Sequence, residues 1–449
     1  MKKLLAVLLS LVMVFGLVSV AGCGDSDDGG AGGKKKLTIW TLAKDLQTFA
    51  DKYMETHKDV EIETVIIEPA QYVDKTQTAI LGGEDSIDII CGEPQMLGNM
   101  YDAGLFADLG ALGGTEFEGQ IVDYVYDVGQ DPNGTLRAIS YQVTPSGFYY
   151  RRSIAKEVFG TDDPEEIGKL FSSYDKILET AQKLKDAGYR IFASDGETTY
   201  SSGDSAWVID GKLNVDPSRV DYMDLCIELY QKEYTTFANS WSTPWYQAMA
   251  GEVAILKADS EVNIWDADEF NSATEGYEKT TVFAFGLPTW GALTLRDNWG
   301  DTDGDWGICS GPAYAFGGGT FVGVSELSKN KELAYEFIKW MLEDDTLDWW
   351  IDASNGDVVS KVSVLEAHKD DENAAFGGQK TYAFWLPQAE GIDYSKVTKY
   401  DKIIGDAWGE AISKIKTGEM TREEGYKYFY DEVASAYPEL TIERTLLEE

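Results

Sequence analysis

The sequence predicts an α/β protein of two lobes, and three observations predict it. Strand-type and helix-type periodicities alternate from Lys36 to Gly92, the order that builds a sheet with parallel strands. The 449 residues, less the 22 ahead of Cys23, leave 427, too many for one compact core. Pro145 and Gly147 interrupt two extended segments, as a chain crossing to a second lobe would.

The chain opens with Lys2, Lys3 and an apolar run from Leu4 to Val20, the charged and hydrophobic regions of a secretory signal peptide. Ser10, Gly16 and Ser19 interrupt the run and no basic stop-transfer flank follows, which argues against a permanent membrane helix. Ala21, Gly22 and Cys23 are similar to the lipobox of bacterial lipoproteins, which implies that Cys23 is diacylated and becomes the new N-terminus. Two acyl chains anchor stably where one is marginal. GDSDDGGAGG, Gly24 to Gly33, is acidic and glycine-rich and reads as a flexible tether.

KLTIW (36–40) reads as the first strand. Leu46, Phe49, Ala50 and Tyr53 follow at helical spacing, with His57 just past the helix end. VEIETVII (60–67) alternates as a strand with Val60, Ile62 and Ile66 on one face. Pro69 suits the first position of a helix that stops at Gly82 and Gly83, and IDIICG (87–92) is a buried strand. Ligands of open α/β sheets sit beyond the carboxyl ends of the strands, here Trp40 and Thr41 at the first and Glu93 and Gln95 at the third. LRAISYQVTPSGFYYRRSIAKEVFG reads as two extended segments leading into a helix. Further helices are predicted near 174–187, 219–232 and 243–250. GALTLRDNWGDTDGDWG, rich in turn residues, predicts a surface insertion. NKELAYEFIKWMLEDD puts Leu333, Ala334, Phe337, Ile338 and Met341 on one helical face, and the chain ends in helices that include DKIIGDAWGEAISKIK and TREEGYKYFYDEVASAY.

The formal charge is −40, and losing Lys2 and Lys3 with the leader makes it −42. Such a field repels nucleic acid and other polyanions, so the easier ligand is uncharged. With Cys23 set aside, Cys91, Cys226 and Cys309 remain, an odd number without CxxC spacing, which argues against a disulfide framework. The two histidines, His57 and His368, have no zinc-ligand spacing. GICSG places Cys309 in a nucleophile-elbow pattern, but the strand, sharp turn and immediate helix that pattern needs are not followed by PAYAFGGGTF. DTDGDW has the composition of a calcium loop without its order, and no phosphate-binding glycine loop occurs. No metal, cofactor or catalytic group is expected.

Four segments carry a resemblance to a known family: SIDIICGEPQMLGNMYDAGLFADL, GFYYRRSIAKEVFG, QAMAGEVAILKAD and GVSELSKNKELAYEFIKWML, the last being the most distinctive. With the terminal KTGEMTREEGYKYF they resemble, in order and spacing, the maltose-binding-protein-like group of extracellular solute-binding proteins, family 1, of ABC importers. The resemblance implies a type II two-lobed periplasmic-binding-protein-like fold, each lobe a mostly parallel sheet flanked by helices and joined to the other by hinge segments. It places a signal peptide at 1–22, a lipidated cysteine and tether at 23–35, an N-terminal lobe at 36–145 with about 308–345, and a C-terminal lobe at 146–307 with about 346–449. It implies a monomer, lipid-anchored at the outer face of the cell membrane or periplasmic, that delivers a sugar or oligosaccharide to membrane permease subunits without chemistry.

Sugars present C–H faces that pack on flat rings and hydroxyls that need fixed donors and acceptors, and the chain has 13 Trp and 25 Tyr. Trp40, Glu93 and Gln95 stand at strand ends. By the resemblance, Glu93 and Gln95 fall on sugar-contacting positions, although Gly92 stands where the maltose binder has a stacking tryptophan. Thr144 replaces its hinge glutamate. Tyr200 matches a cleft tyrosine, and Asp259 and Glu261 lie where the second lobe's stacking tryptophan belongs. Trp241, Trp245, Trp265 and Trp290 are candidates for the missing ring, and Asp406 and Trp408 fall near a terminal-helix contact. Acids among rings also suit a cationic solute such as a polyamine or betaine. A surface-anchored glycosidase is the reading from another class, though no carboxylate spacing identifies one.

Overall fold

The computed structural model describes residues 34–202, 205–258, 260–394 and 398–447. Cys23, the leader, the 24–33 segment and Asp259 lie outside the described residues. Among the described residues, no helix is long and apolar enough to cross a membrane.

The first lobe is built on five strands in the spatial order Val60–Ile66, Lys35–Thr41, Ile89–Gly92, Phe321–Val324 and Ile139–Ser140. The first three are parallel, joined by the helices Asp45–Thr56 and Pro69–Leu81, as the alternating periodicities predict. Phe321–Val324 returns from the other lobe without a crossover helix and runs antiparallel to both neighbours. Helix Asp45–Thr56 buries the four apolar residues read from its spacing, and Phe49 stacks on Trp350 at 4.4 Å. Ile66 departs from the reading: it is 47% exposed while Val60 and Ile62 are buried, because the strand ends there and Ile67 turns into the core instead.

The second lobe centres on three antiparallel strands in the order Ala284–Pro288, Ser146–Arg151 and Trp306–Cys309. Among the described residues, parallel bridges flank this sheet where Arg190 meets Val282 and Phe192 meets Thr235, and another joins Lys212 to Thr441. The sheet here is therefore mixed rather than mostly parallel. One face packs the stacked rings of Phe148 and Phe171 (4.4 Å) and of Phe148 and Phe192 (5.5 Å). The stretch read as a surface insertion is partly core. It forms the helix Gly291–Asn298 with Leu295 buried, then the strand Trp306–Cys309, where the fully buried Trp306 donates Nε1–H to Thr302 Oγ1 at 3.0 Å. Its few large apolar residues anchor the turns between them.

Two connections run side by side between the lobes. Ser146 N donates to Ala315 O at 2.8 Å and Gly317 N donates to Thr144 O at 3.1 Å. The boundaries expected at about 308 and 346 shift accordingly. Trp306–Cys309 belongs to the second sheet, whereas Trp349 and Trp350 pack on Phe49, and Val362 N still reaches Gln120 O at 3.0 Å in the first lobe. The helices Asp401–Lys416 and Arg422–Ala436 form a separate cluster with Pro217–Gln231, burying Met223, Trp408 and Phe429. A capping box of Thr421 and Glu424 starts the last long helix.

Candidate functional site

Three rings meet beside the paired connections. Tyr200 lies near the end of the 3-10 segment Asp195–Ser201, which Ser194 caps by accepting from Gly196 N. Trp290 follows two residues after the strand Ala284–Pro288, and its Nε1–H donates to Gly317 O at 2.9 Å, which ties the ring to the hinge. Trp241 has φ 69, a left-handed conformation unusual for a large side chain, and its ring is stacked on Trp290 with centroids 5.5 Å apart. Tyr200 meets Trp290 edge-on at 6.1 Å. Gly317 makes this arrangement possible: a Cβ there would stand 2.3 Å from the Tyr200 ring. Tyr200 and Trp290 are half-buried and Trp241 is 48% exposed, so the three rings form a wall open to solvent.

Glu93 ends the third strand of the first lobe and precedes the helix Pro94–Asp102 without capping it. Its carboxylate accepts from the Gln95 side-chain amide. Burial raises the Glu93 pKa. Its charge in turn reaches Tyr200, whose phenol is pushed up mainly by burial and then by Glu93 and Glu197. Glu93, just past the carboxyl end of a first-lobe strand, thus lies close enough to Tyr200 for its charge to act on the phenol.

Several predicted residues sit elsewhere. Trp245 is fully buried behind Trp241, at 5.0 Å, and its Nε1–H is committed to Glu197, so it supports the wall without facing solvent. Trp408 is buried among Trp207, Tyr426 and Phe429 in the terminal helix cluster, and Asp406, exposed, pairs with Lys402 at 2.7 Å. Both corrections have one cause: on an amphipathic helix the ring joins the core and the acid faces water. Thr144 is buried, and its hydroxyl donates to Gly318 O at 3.2 Å, a hinge contact. Trp40 is half-buried at the first strand's end, with its carbonyl accepting from Tyr72 Oη–H at 2.9 Å. Trp265 is 64% exposed. Glu261 lines a surface cavity of about 510 Å³ with Lys257, Asn263 and Tyr277, apart from the three rings.

Sequence reasoning missed Glu197. It is buried, its Oε1 accepts from Trp245 Nε1 and its Oε2 from Gly286 N at 3.1 Å, and burial, opposed by these two donors, pushes its pKa to about 8. Nothing within ETTYSS marks it, because both partners come from distant segments. Cys309 is a buried strand residue whose thiol is pushed up by burial, which does not fit a nucleophile elbow. Among the described residues no group of three or more His, Cys, Asp or Glu side chains is placed to hold a metal ion.

A family model described as bacterial extracellular solute-binding protein matches residues 48–375, more than half of the chain. The chain belongs to this family. Membership places the protein outside the cytoplasm, in the extracellular or periplasmic space. No curated protein matches the sequence. Solved structures show the fold. One extracellular solute-binding protein of family 1 superposes with a TM-score of 0.72 at 16% identity, covering 90% of this chain and 99% of the other. The galacto-N-biose-/lacto-N-biose I-binding protein of an ABC transporter from Bifidobacterium longum, in complex with lacto-N-biose, gives 0.69 at 14%, covering 92% and 100%. An ABC transporter associated binding protein from B. animalis subsp. lactis Bl-04, in complex with β-1,6-galactobiose, gives 0.66 at 18%, covering 91% and 100%. This solute-binding protein has the two-lobed type II fold of that group.

Proposed function

We propose that this solute-binding protein captures an oligosaccharide between its lobes and hands it to the permease subunits of an ABC importer, held at the membrane through Cys23. The observation that carries the reading is the open wall of Tyr200, Trp290 and Trp241 beside the hinge, with the Glu93 charge acting on Tyr200 and Gln95 bonded to Glu93. Rings take the C–H faces of a sugar, and the carboxylate and amide take its hydroxyls. The sugar complexes of fold neighbours support the same class of ligand. Trp40, Glu261 and Trp265 are peripheral candidates for a longer chain, as is Asp259.

Capture requires the ligand to favour a closed arrangement of the lobes, and contacts on both sides of the hinge supply that preference. The work is binding and release, with no covalent step. A second reading is favoured by one feature, the Glu93 carboxylate whose charge acts on Tyr200 and which accepts from the Gln95 amide, which suits a polyamine or betaine. Thermal unfolding of the chain from Gly24, with mono- and oligosaccharides, polyamines and betaines at low and high salt, separates the two. A ligand at 100 times its Kd adds about 2.7 kcal/mol. A salt-insensitive upward shift with a saccharide is expected. A shift only with cationic solutes that fades with salt overturns the sugar reading.

A further inference from the structure

We propose that Glu197 is a positioning residue for the ring wall: its buried carboxyl fixes the indole of Trp245, on which Trp241 rests, and through Trp241 it sets the stack with Trp290. The inference rests on the reading of the wall as the ligand site. The geometry runs in one chain of contacts. Glu197 Oε2 is held by the backbone of the strand Ala284–Pro288 at Gly286, and its Oε1 receives the Trp245 N–H. Trp245 is fully buried and touches Trp241 at 5.0 Å, while Trp241, turned outward by its left-handed backbone, stacks on Trp290 at 28° between ring planes. Gly286 leaves no room for movement, since a Cβ there would stand 1.8 Å from Glu197 O.

Two hydrogen-bond donors aim at this carboxyl, and among the described residues no basic side chain pairs with it. Burial disfavours its charged form and the two donors favour it. The nearest charges do not relieve it: Asp195, on the same 3-10 segment, raises the Glu197 pKa, and Lys416 of the terminal helix is engaged with Asp195 at 2.6 Å. Titratable groups on the surrounding elements include Tyr200, Tyr222, Cys226 and Tyr246, all pushed upward by burial, and the Glu93 charge acts on Tyr200. The flanking strands contribute Gly286 and Ser146, which do not titrate, around a void of about 10 Å³ that also touches Glu197 and Ser201. Both donors favour the ionised carboxylate over the neutral acid, so Glu197 holds Trp245 in either protonation state and most firmly when ionised.

The experiment reads the protein itself and needs no ligand, so its failure is distinct from failure of the sugar reading. Near-ultraviolet circular dichroism of the free chain from Gly24 reports the stacked indoles and is recorded from pH 6 to 9 in the wild type, Glu197→Gln and Glu197→Leu, with far-ultraviolet spectra as the check on folding. The wild-type tryptophan signal is expected to keep its amplitude across this range, because an ionised carboxylate accepts from Trp245 at least as well as a neutral one. Glu197→Leu should lose at least half of that signal at every pH while the far-ultraviolet spectrum is kept. Glu197→Gln offers one acceptor to the two donors and should lose a smaller part of it. A full wild-type signal in a folded Glu197→Leu overturns the proposal. If Glu197→Leu does not fold, Glu197→Gln decides alone, and a signal equal to the wild type's overturns the proposal.

Discussion

Tyr200 keeps its place because the interlobe connection passing it carries no side chain at residue 317. A methyl group there would lie 2.3 Å from the ring, so Gly317→Ala displaces Tyr200 or that connection. Ligand affinity should fall at least about tenfold, or roughly 1.4 kcal/mol, by titration calorimetry. Asp357 offers a second test at this scale. It is buried, accepts from Trp350 Nε1 at 2.9 Å and Gln142 Nε2 at 3.1 Å, and burial raises its pKa to about 6. A carboxyl raised on folding stabilises the native state below its unfolded pKa, near 3.8, and that contribution is lost as pH rises through about 6. Urea titrations between pH 4 and 6 should therefore show Asp357→Asn with a flatter stability profile than the wild type. Asp357 was not legible in the sequence, since a buried carboxyl is defined by neighbours that come from other segments, whereas Gly317 reads from its glycine run as a residue that relieves crowding. Glu93, by contrast, was legible because the end of a buried parallel strand is a position with a physical meaning.

Helices were read well wherever their apolar spacing faces one core, as in Asp45–Thr56 and Lys331–Met341. Strand direction was not, because a buried strand such as Phe321–Val324 has the same composition whichever way it runs. The helix of Trp408 shows the limit for site prediction: a tryptophan on the buried face of an amphipathic helix looks no different in sequence from one that lines a cleft. Two glycines within helices give opposite expectations. In Pro94–Asp102, Gly98 lets the chain at Thr398 pass, and a Cβ would stand 2.0 Å from its carbonyl oxygen. Gly98→Ala should destabilise the protein by about 1–3 kcal/mol in urea unfolding. Gly409 in Asp401–Lys416 has nothing within 4 Å, so Gly409→Ala should stabilise by up to about 1 kcal/mol.

At the scale of the whole molecule, two lobes are joined by connections that hydrogen-bond to each other, and the ring wall is fastened to one of them through Trp290 and Gly317. Any ligand that spans Glu93 and the wall bridges both lobes, so binding and lobe closure are coupled. Solution scattering should show a smaller radius of gyration with ligand than without. The acidic surface, at −40 overall, keeps the chain soluble and repels polyanions, and a neutral saccharide is indifferent to it. The most direct test is isothermal titration of wild type and Trp290→Ala with the saccharides that raise the melting temperature, at low and high salt. One site per chain, insensitive to salt and weakened at least about tenfold by Trp290→Ala, is the predicted result. Saccharide binding that is unchanged in a folded Trp290→Ala variant, or no saccharide binding at all, contradicts it.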